Sequence, residues 1–349
     1  MRFYTQQHQY TCGIDLHARS LYVCILDDSG QKVVHKNIKA SPEALLKLIA
    51  EYQDDLVIGV ECMFAWYWIA DFCADHSIEF VLGHALYMKS IHGGKAKNDR
   101  IDSEKIARLL KGGMFPYAYV YPRTMRSTRD LMRRRIKLAR ERGDLMAHIK
   151  NTLSQYNLPA HPENLRYEKH RQAMRSAFPD PSVQRSIDLD LARIEFYDQQ
   201  LSKLEWYLKR TAKAADPKAM ILLQSIHGVG DILSLVILYE IHDIARFPRV
   251  QDFVSYCRLV KCQRESAGKV KGTGGARIGN PYLRWAFGEA AALFLRGNPQ
   301  AKRWYDKKAS RHSKAKALTI LSHKLGRTVY FMPVSYTHLR AHETVVRIS

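Results

Sequence analysis

Between residues 11 and 38, apolar positions fall in three short runs, about 11–16, 20–27 and 32–38, separated by "HARS" and by the turn "DDSG". That pattern predicts a β-meander. A helix is expected over 42–53, with Leu45, Leu46, Leu48 and Ile49 as its apolar positions and Ser41 as its N-cap. "LVIGVE", 56–61, is an unbroken apolar run ending in an acid, as in a strand buried on both faces. A helix over about 64–76 and the strand "IEFVL" complete an α/β unit. "DRIDSEKIARLLK" then reads as helix from Asp99 to Lys111, stopped by Gly112-Gly113.

Beyond residue 123 the pattern changes from strands to helices. Residues 124–157 predict one long helix in which Leu131, Leu138 and Leu145 repeat at seven, with Ile149, Leu153 and Tyr156 continuing the stripe. After a Pro-containing break, about 159–181, a second long helix is expected over 184–213, its stripe formed by Ile187, Leu191, Ile194, Leu201, Leu204 and Leu208. Two such helices predict a coiled coil, antiparallel or between subunits; the alternative is two amphipathic helices packed on a globular domain. "LLQSIHGVGDILSLVILYEI" reads as helix, Gly-x-Gly turn, helix, and helices resume after a Gly- and cation-rich stretch, to about 331. The fold class is therefore α/β plus mainly α. Its regions are 1–122, 123–216 and 217–332. Residues 333–349 have no apolar periodicity and read as a foreign or frame-shifted tail.

Charge sharpens this division. The chain of 349 residues has a formal net charge of +21 and a pI near 9.7, which predicts a polyanionic partner, nucleic acid before membrane. Residues 1–122 hold 13 Lys/Arg against 14 Asp/Glu, and the remainder 42 against 20, so the whole excess lies in the distal part. A near-neutral catalytic domain beside a basic nucleic-acid grip is the expected arrangement. Six cysteines form no CxxC pair and no zinc-type spacing, as for reduced thiols in cytoplasm. The N-terminus has no signal-like apolar segment, and no apolar run reaches the roughly 18 residues of a membrane span. A soluble cytoplasmic protein is expected.

Two sets of residues carry candidate chemistry. Asp15 lies in the first strand, Glu61 ends the fourth, and Asp99 and Asp102 share one side of a helix. Taken singly, each acid fits a solvated strand end or a dipole-stabilising first-turn charge. Four converging acids would repel one another unless a cation sat between them. Hard carboxylate oxygens suit Mg²⁺ or Mn²⁺, and metal ions held this way serve phosphodiester displacement. In the distal part, Gly228 and Gly230 fit a helix-hairpin-helix turn whose amides could approach a phosphate, or simply a tight turn. In "RESAGKVKGTGGARIGN", Ser266 is surrounded by Arg264, Lys269, Lys271 and Arg277, either as a nucleophile in a flexible cationic loop or as an incidental serine of a disordered phosphate-binding loop.

"GIDLH", "GVE" and above all "KNDRIDSEKIARLL" resemble the N-terminal DEDD domain of a family of bacterial insertion-sequence transposases, related to the Piv pilin-gene invertases and similar to the RuvC Holliday-junction resolvase. The resemblance covers about 10–331. It implies an RNase H/RuvC-like catalytic domain over 1–122, with Asp15, Glu61, Asp99 and Asp102 as the metal-binding acids. Residues 123–216 become the coiled-coil region, and 217–332 a transposase domain with a helix-hairpin-helix-like segment and a nucleophilic serine. Ser266 matches that serine best, although Ala267 intervenes before Gly268; Ser255 and Thr273 are the other candidates. The family implies a transient phosphoserine link to DNA, a structured guide RNA, and a homo-oligomer, dimer or tetramer, at the bacterial nucleoid. Two alternatives are a RuvC-like structure-specific nuclease and a non-catalytic nucleic-acid-binding protein.

Overall fold

The computed structural model describes residues 2–91, 98–159, 165, 167–175, 177–274 and 278–332. The tail 333–349, Arg277 and the start of the "KAKNDR" stretch lie outside them. The chain divides into two compact units, Met1–Arg123 and Thr124 onward.

In the first unit a short strand β1 (Phe3–Tyr4) precedes the meander β2 (Tyr10–Leu16), β3 (Ser20–Leu26) and β4 (Lys32–Lys39). Helix α1 (Pro42–Ile49) follows, capped by Ser41, whose hydroxyl accepts from the Ala44 amide. Then come β5 (Leu56–Glu61), α2 (Tyr67–Asp75), β6 (Glu79–Gly83), α3 (Ala85–Ile91), α4 (Asp99–Lys111) and β7 (Phe115–Pro116). The main sheet has the order β4-β3-β2-β5-β6; the meander strands are antiparallel, while β5 runs parallel to both β2 and β6. As "LVIGVE" predicts, all of β5 up to Val60 is buried. The pairing of β1 with β7, and helix α3, lie beyond the sequence expectation. One apolar core fills the α1/α2 face of the sheet, and a second, around Val57, Val81, Ile106, Leu110 and Phe115, seals α4 to the other.

Among the described residues the second unit is helical apart from one hairpin. Its elements are α5 (Arg123–Gln155), α6 (Glu168–Arg175), α7 (Pro181–Ala215), α8 (Pro217–Gln224), α9 (Asp231–Ile241), α10 (Val250–Tyr256), the strands β8 (Cys262–Ser266) and β9 (Lys269–Gly274), α11 (Pro281–Phe294), α12 (Pro299–Arg311) and α13 (Lys314–Phe331). The two long helices pair antiparallel within the chain. Arg135 bonds Glu205 and Arg142 bonds Asp198, each pair one heptad from the next in opposite senses. Their contact is closed at one end by Ile149, Leu153, Met174, Phe178, Ile187, Leu191 and Ile194. Five of the six predicted α7 stripe residues are buried, while Leu204 is half-buried. On α5 the stripe is shifted: Met132, Ile136, Ile149 and Leu153 are buried, whereas Leu131, Leu138 and Leu145 are half-buried. Tyr156 falls after the helix ends and is exposed, so it does not continue the stripe. No described helix is long and apolar enough to cross a membrane.

Candidate metal centre and the serine hairpin

The acidic site begins with a glycine. Gly13 and Gly59 are paired across β2 and β5. A Cβ on Gly13 would overlap the Ala107 amide nitrogen and the Ser103 carbonyl oxygen, and one on Gly59 would press on Leu110. The two positions therefore clear a lane in which α4 lies directly on the sheet backbone. Side chains alternate along a strand, so Asp15 faces the same side as Gly13 and Glu61 the same side as Gly59. Asp15 and Glu61 lie one step beyond the paired Ile14 and Val60, at or next to the C-terminal ends of two adjacent parallel strands and on the α4 face.

Three contacts fix the rotation and height of α4. The Asn98 side chain caps its first turn by accepting from the Ile101 amide. The His35 ring bonds the Arg100 carbonyl at 2.9 Å, and Lys32 meets Glu104 at 3.1 Å. With α4 so placed, Asp99 comes up to Asp15. Carboxylate oxygens of Asp15 and Asp99 and a ring nitrogen of His17 all lie within 4.8 Å of one another. His17 Nε2 stands 3.4 Å from Asp15 and 3.3 Å from Asp99, yet it is buried and makes no aligned hydrogen bond. Burial raises the Asp15 pKa above the usual carboxylate range; His17 opposes the shift, and the charges of Asp99 and Asp102 add to it. An orphaned nitrogen between two carboxylates, one held partly out of water, is a set of donors facing a common point.

The four predicted acids are not equivalent. Asp15 and Asp99 are within the tight cluster, whereas Asp102 pairs with Lys105 at 3.4 Å while still acting on Asp15 electrostatically. Glu61 ends β5 half-buried, outside that cluster. His17 is absent from the predicted ligands. Its signal in the sequence is its place two residues after Asp15, at the same strand end.

In the second unit, Gly228 has φ +84° and a Cβ there would lie 2.7 Å from the Phe294 amide nitrogen. Its backbone thus approaches the end of α11, a packing requirement. Gly230 is the N-cap of α9 and faces open space. Beside it Asp231 bonds Lys209 and Gln224, so a carboxylate already occupies that helix terminus. The expected flexible or disordered loop around Ser266 is instead an antiparallel hairpin, in which Ser266 and Lys269 flank the turn Ala267-Gly268. Both turn residues have positive φ, +52° and +70°, the left-handed pair whose twist suits a two-residue hairpin. Ser266, Lys269 and Lys271 are exposed; Arg264 and Thr273 have described backbone only, in β8 and β9. Ser255, the other described hydroxyl candidate, is exposed on α10.

The base of this hairpin is clamped. Asn280 N–H donates to the Tyr256 carbonyl at 2.6 Å, and the Arg258 side chain donates to the Gly279 carbonyl at 2.9 Å. Gly279 has φ +95°, and a Cβ would clash with the Tyr256 carbonyl. Asn280 also caps α11 by accepting from the Tyr282 and Leu283 amides, and it donates to Glu240 at 2.7 Å. Glu240, almost fully buried, accepts from Arg129 and Arg133 as well. Burial works to raise its pKa, but the two guanidiniums and Asn280 outweigh it and hold the carboxyl below its ordinary value. The Gly279-Asn280 pair is thus explained by conformation, capping and a buried charge. Glu240 itself sits near the end of the mainly apolar helix α9, where no sequence pattern singles it out.

Two family models match this chain. One, for DEDD transposases of the IS110 type, spans residues 12–158 and so contains Asp15, His17, Glu61, Asp99 and Asp102. The other, described as transposase of the IS116/IS110/IS902 family, spans 220–306 and contains the Gly-x-Gly turn and the hairpin. The chain carries IS110-type transposase domains. Such domains belong to enzymes of DNA strand transfer, and the chain is accordingly an enzyme that acts on DNA. The expectation of a non-catalytic binder is thereby set aside. No curated protein matches the sequence.

Proposed function

We propose that this transposase cuts and rejoins DNA through an RNase H/RuvC-like acidic site that holds Mg²⁺ or Mn²⁺ and a serine nucleophile on the β8–β9 hairpin. The observation that carries the reading is the approach of Asp15, His17 and Asp99 within 4.8 Å. The strand order, a meander followed by two parallel strands, is the topology an RNase H-like domain requires. Asp15 and Asp99 would be the first ligands, with Asp102 and Glu61 joining on either side. Oxygen donors favour Mg²⁺, while the His17 nitrogen would shift preference toward Mn²⁺. When bound, the ion supplies charge stabilisation to a phosphodiester under attack.

Ser266 Oγ would displace a deoxyribose oxygen from phosphorus, forming a phosphoserine ester as the DNA ester breaks and the hydroxyl proton passes to the departing oxygen. A second displacement by a DNA hydroxyl would release the serine and seal the new strand. Arg264, Lys269, Lys271 and Arg277 would hold the phosphate; Gly230 would add an amide contact, with Gly228 shaping the turn. We include in the proposal a structured guide RNA that selects the DNA, and assembly as a homo-oligomer of two or four chains in the cytoplasm, at the nucleoid.

The test uses supercoiled plasmid DNA carrying the element's ends, with Mn²⁺ or Mg²⁺. Asp15→Asn and Asp99→Asn should each abolish strand cleavage and weaken Mn²⁺ binding measured by calorimetry. Ser266→Ala should retain metal binding and lose the covalent protein–DNA adduct seen on denaturing gels. Cleavage that persists without an adduct in Ser266→Ala would favour the RuvC-like nuclease. Full cleavage by Asp15→Asn would remove the metal reading.

A further inference from the structure

The last helical hairpin, α12–α13, concentrates positive charge. From Pro299 to Arg327 there are nine Lys/Arg and a single acid, Asp306. That acid is engaged by Lys302 at 3.1 Å. The link between the helices is only His312-Ser313, so the C-terminal cations of α12 and the first residues of α13 crowd one turn: Arg311, Lys314 and Lys316, all exposed. Cations in the first turn of a helix run against its dipole, and here no acid accompanies them. Folding stability does not account for that placement.

A second observation points the same way. The ammoniums of Lys308 and Lys324 both stand over the Trp304 ring, at 5.9 and 5.0 Å from its centroid. Two like charges on one indole repel each other; burial, and then the charge of Lys308, lower the Lys324 pKa. Cation–π attraction offsets part of this. A polyanion would relieve the rest. The scaffold is firm enough to bear such a load, because α13 buries Ala317, Leu321, Ser322, Leu325, Gly326 and Val329, while α12 buries Ala301 alone and offers most of its remaining surface to solvent.

We propose that the α12–α13 hairpin grips the phosphate backbone of duplex DNA, with Arg311, Lys314 and Lys316 as the contacting cations and Trp304 fixing Lys308 and Lys324 beside them. The grip is sequence-independent, since phosphates carry no base information. It rests on DNA as the strand-transfer substrate and is independent of the metal and serine assignments.

The experiment measures binding of a labelled random-sequence DNA duplex, and of a duplex RNA of equal length, to the full chain by fluorescence anisotropy across a salt series. R311Q/K314Q/K316Q should weaken DNA binding by about tenfold and reduce the slope of log K against log salt by about 2.7, near 0.9 for each phosphate that is no longer neutralised. The charge-matched control K203Q/K213Q/K218Q, on α7 and α8, should change neither by more than about twofold. Unchanged thermal unfolding by circular dichroism establishes that both variants fold. An unaltered DNA slope in the first variant overturns the proposal, as does an equal loss in the control, which would indicate a diffuse field. A loss confined to the RNA probe also overturns it. R311Q/K314Q/K316Q should bind Mn²⁺ by calorimetry as the wild type does, so failure of the grip and failure of the metal reading give different results.

Discussion

The acids of the first unit and the serine of the second are presented in opposite ways. Asp15 sits on a central strand of a five-stranded sheet, under a helix seated in a lane cleared by Gly13 and Gly59. Ser266 sits at the tip of a two-stranded hairpin whose described side chains are exposed from Glu265 to Gly272. On the function proposed above, carboxylates that share one cation need positions fixed to a fraction of an ångström, and rigid elements provide this. On the same proposal a serine nucleophile that meets a bulky polymer needs reach, and its precision is supplied when the phosphate is held. The second unit concentrates its rigidity at the base of the hairpin, around Glu240 and Asn280, leaving the tip without a core.

That contrast can be broken experimentally. The largest effect should come from Glu240→Ala, which leaves the half-buried guanidiniums of Arg129 and Arg133 and the buried Asn280 amide without their shared carboxylate; a loss of about 3 kcal/mol, the lower end for breaking a buried pair, is expected in denaturant unfolding of the second unit. Because the folded-state pKa of Glu240 is depressed, its contribution is complete above its unfolded value near 4.5 and is lost as pH falls below it. Acid titration of wild-type stability should therefore show a decline below about pH 4.5 that is absent in Glu240→Ala. A clamp that contributes nothing would leave both curves superimposed.

Gly13→Ala should follow, at roughly 1–3 kcal/mol, since the added methyl meets backbone of α4 that has no alternative position. The same substitution should weaken Mn²⁺ binding by shifting Asp99 away from Asp15, an effect readable by calorimetry without any DNA. The smallest change belongs to Gly268→Ala in the hairpin turn. There φ is +70° with open space around the Cβ, so only the left-handed penalty of about 1–2 kcal/mol applies, and only to the hairpin. Global unfolding should hardly move, while proteolysis between Cys262 and Gly274 should accelerate. If Gly268→Ala lowers the global melting temperature as much as Gly13→Ala does, the hairpin is integral to the unit and the contrast fails.

The two units are also unequally legible in sequence. The main-sheet strands of the first unit match their expected spans within a residue or two, because continuous apolar runs bounded by turn residues leave few other readings. Helix α4 begins and ends where Asn98 and Gly112 dictate. The pairing of Phe3–Tyr4 with Phe115–Pro116 carries no local pattern, since each strand is two residues long. His17 escapes a reading of the sequence because an imidazole after a strand usually answers to solvent, and only the packing of α4 brings Asp99 to it. The β8–β9 hairpin reads as loop because "KVKGTG" has one apolar residue, Val270, so no alternation signals a strand. Its glycines suggest freedom, whereas Gly268 builds the turn and Gly272, at φ +135°, lies beside the register shift. Gly228 likewise suggests a phosphate contact, and its nearest neighbours are the backbone of Leu293 and Phe294.

The bond from Asn280 to the Tyr256 carbonyl joins the two ends of the segment that carries Ser266. The β8–β9 hairpin held between those anchors is, in engineering terms, a cartridge: Cys262 and Gly274 are paired neighbours, so what lies between them can be exchanged without touching the buried Leu259 or the helices around it. Hairpins of other lengths grafted between Cys262 and Gly274 should therefore leave the surrounding bundle intact while altering how far a hydroxyl extends. Such chimaeras would turn reach into an adjustable parameter of strand exchange.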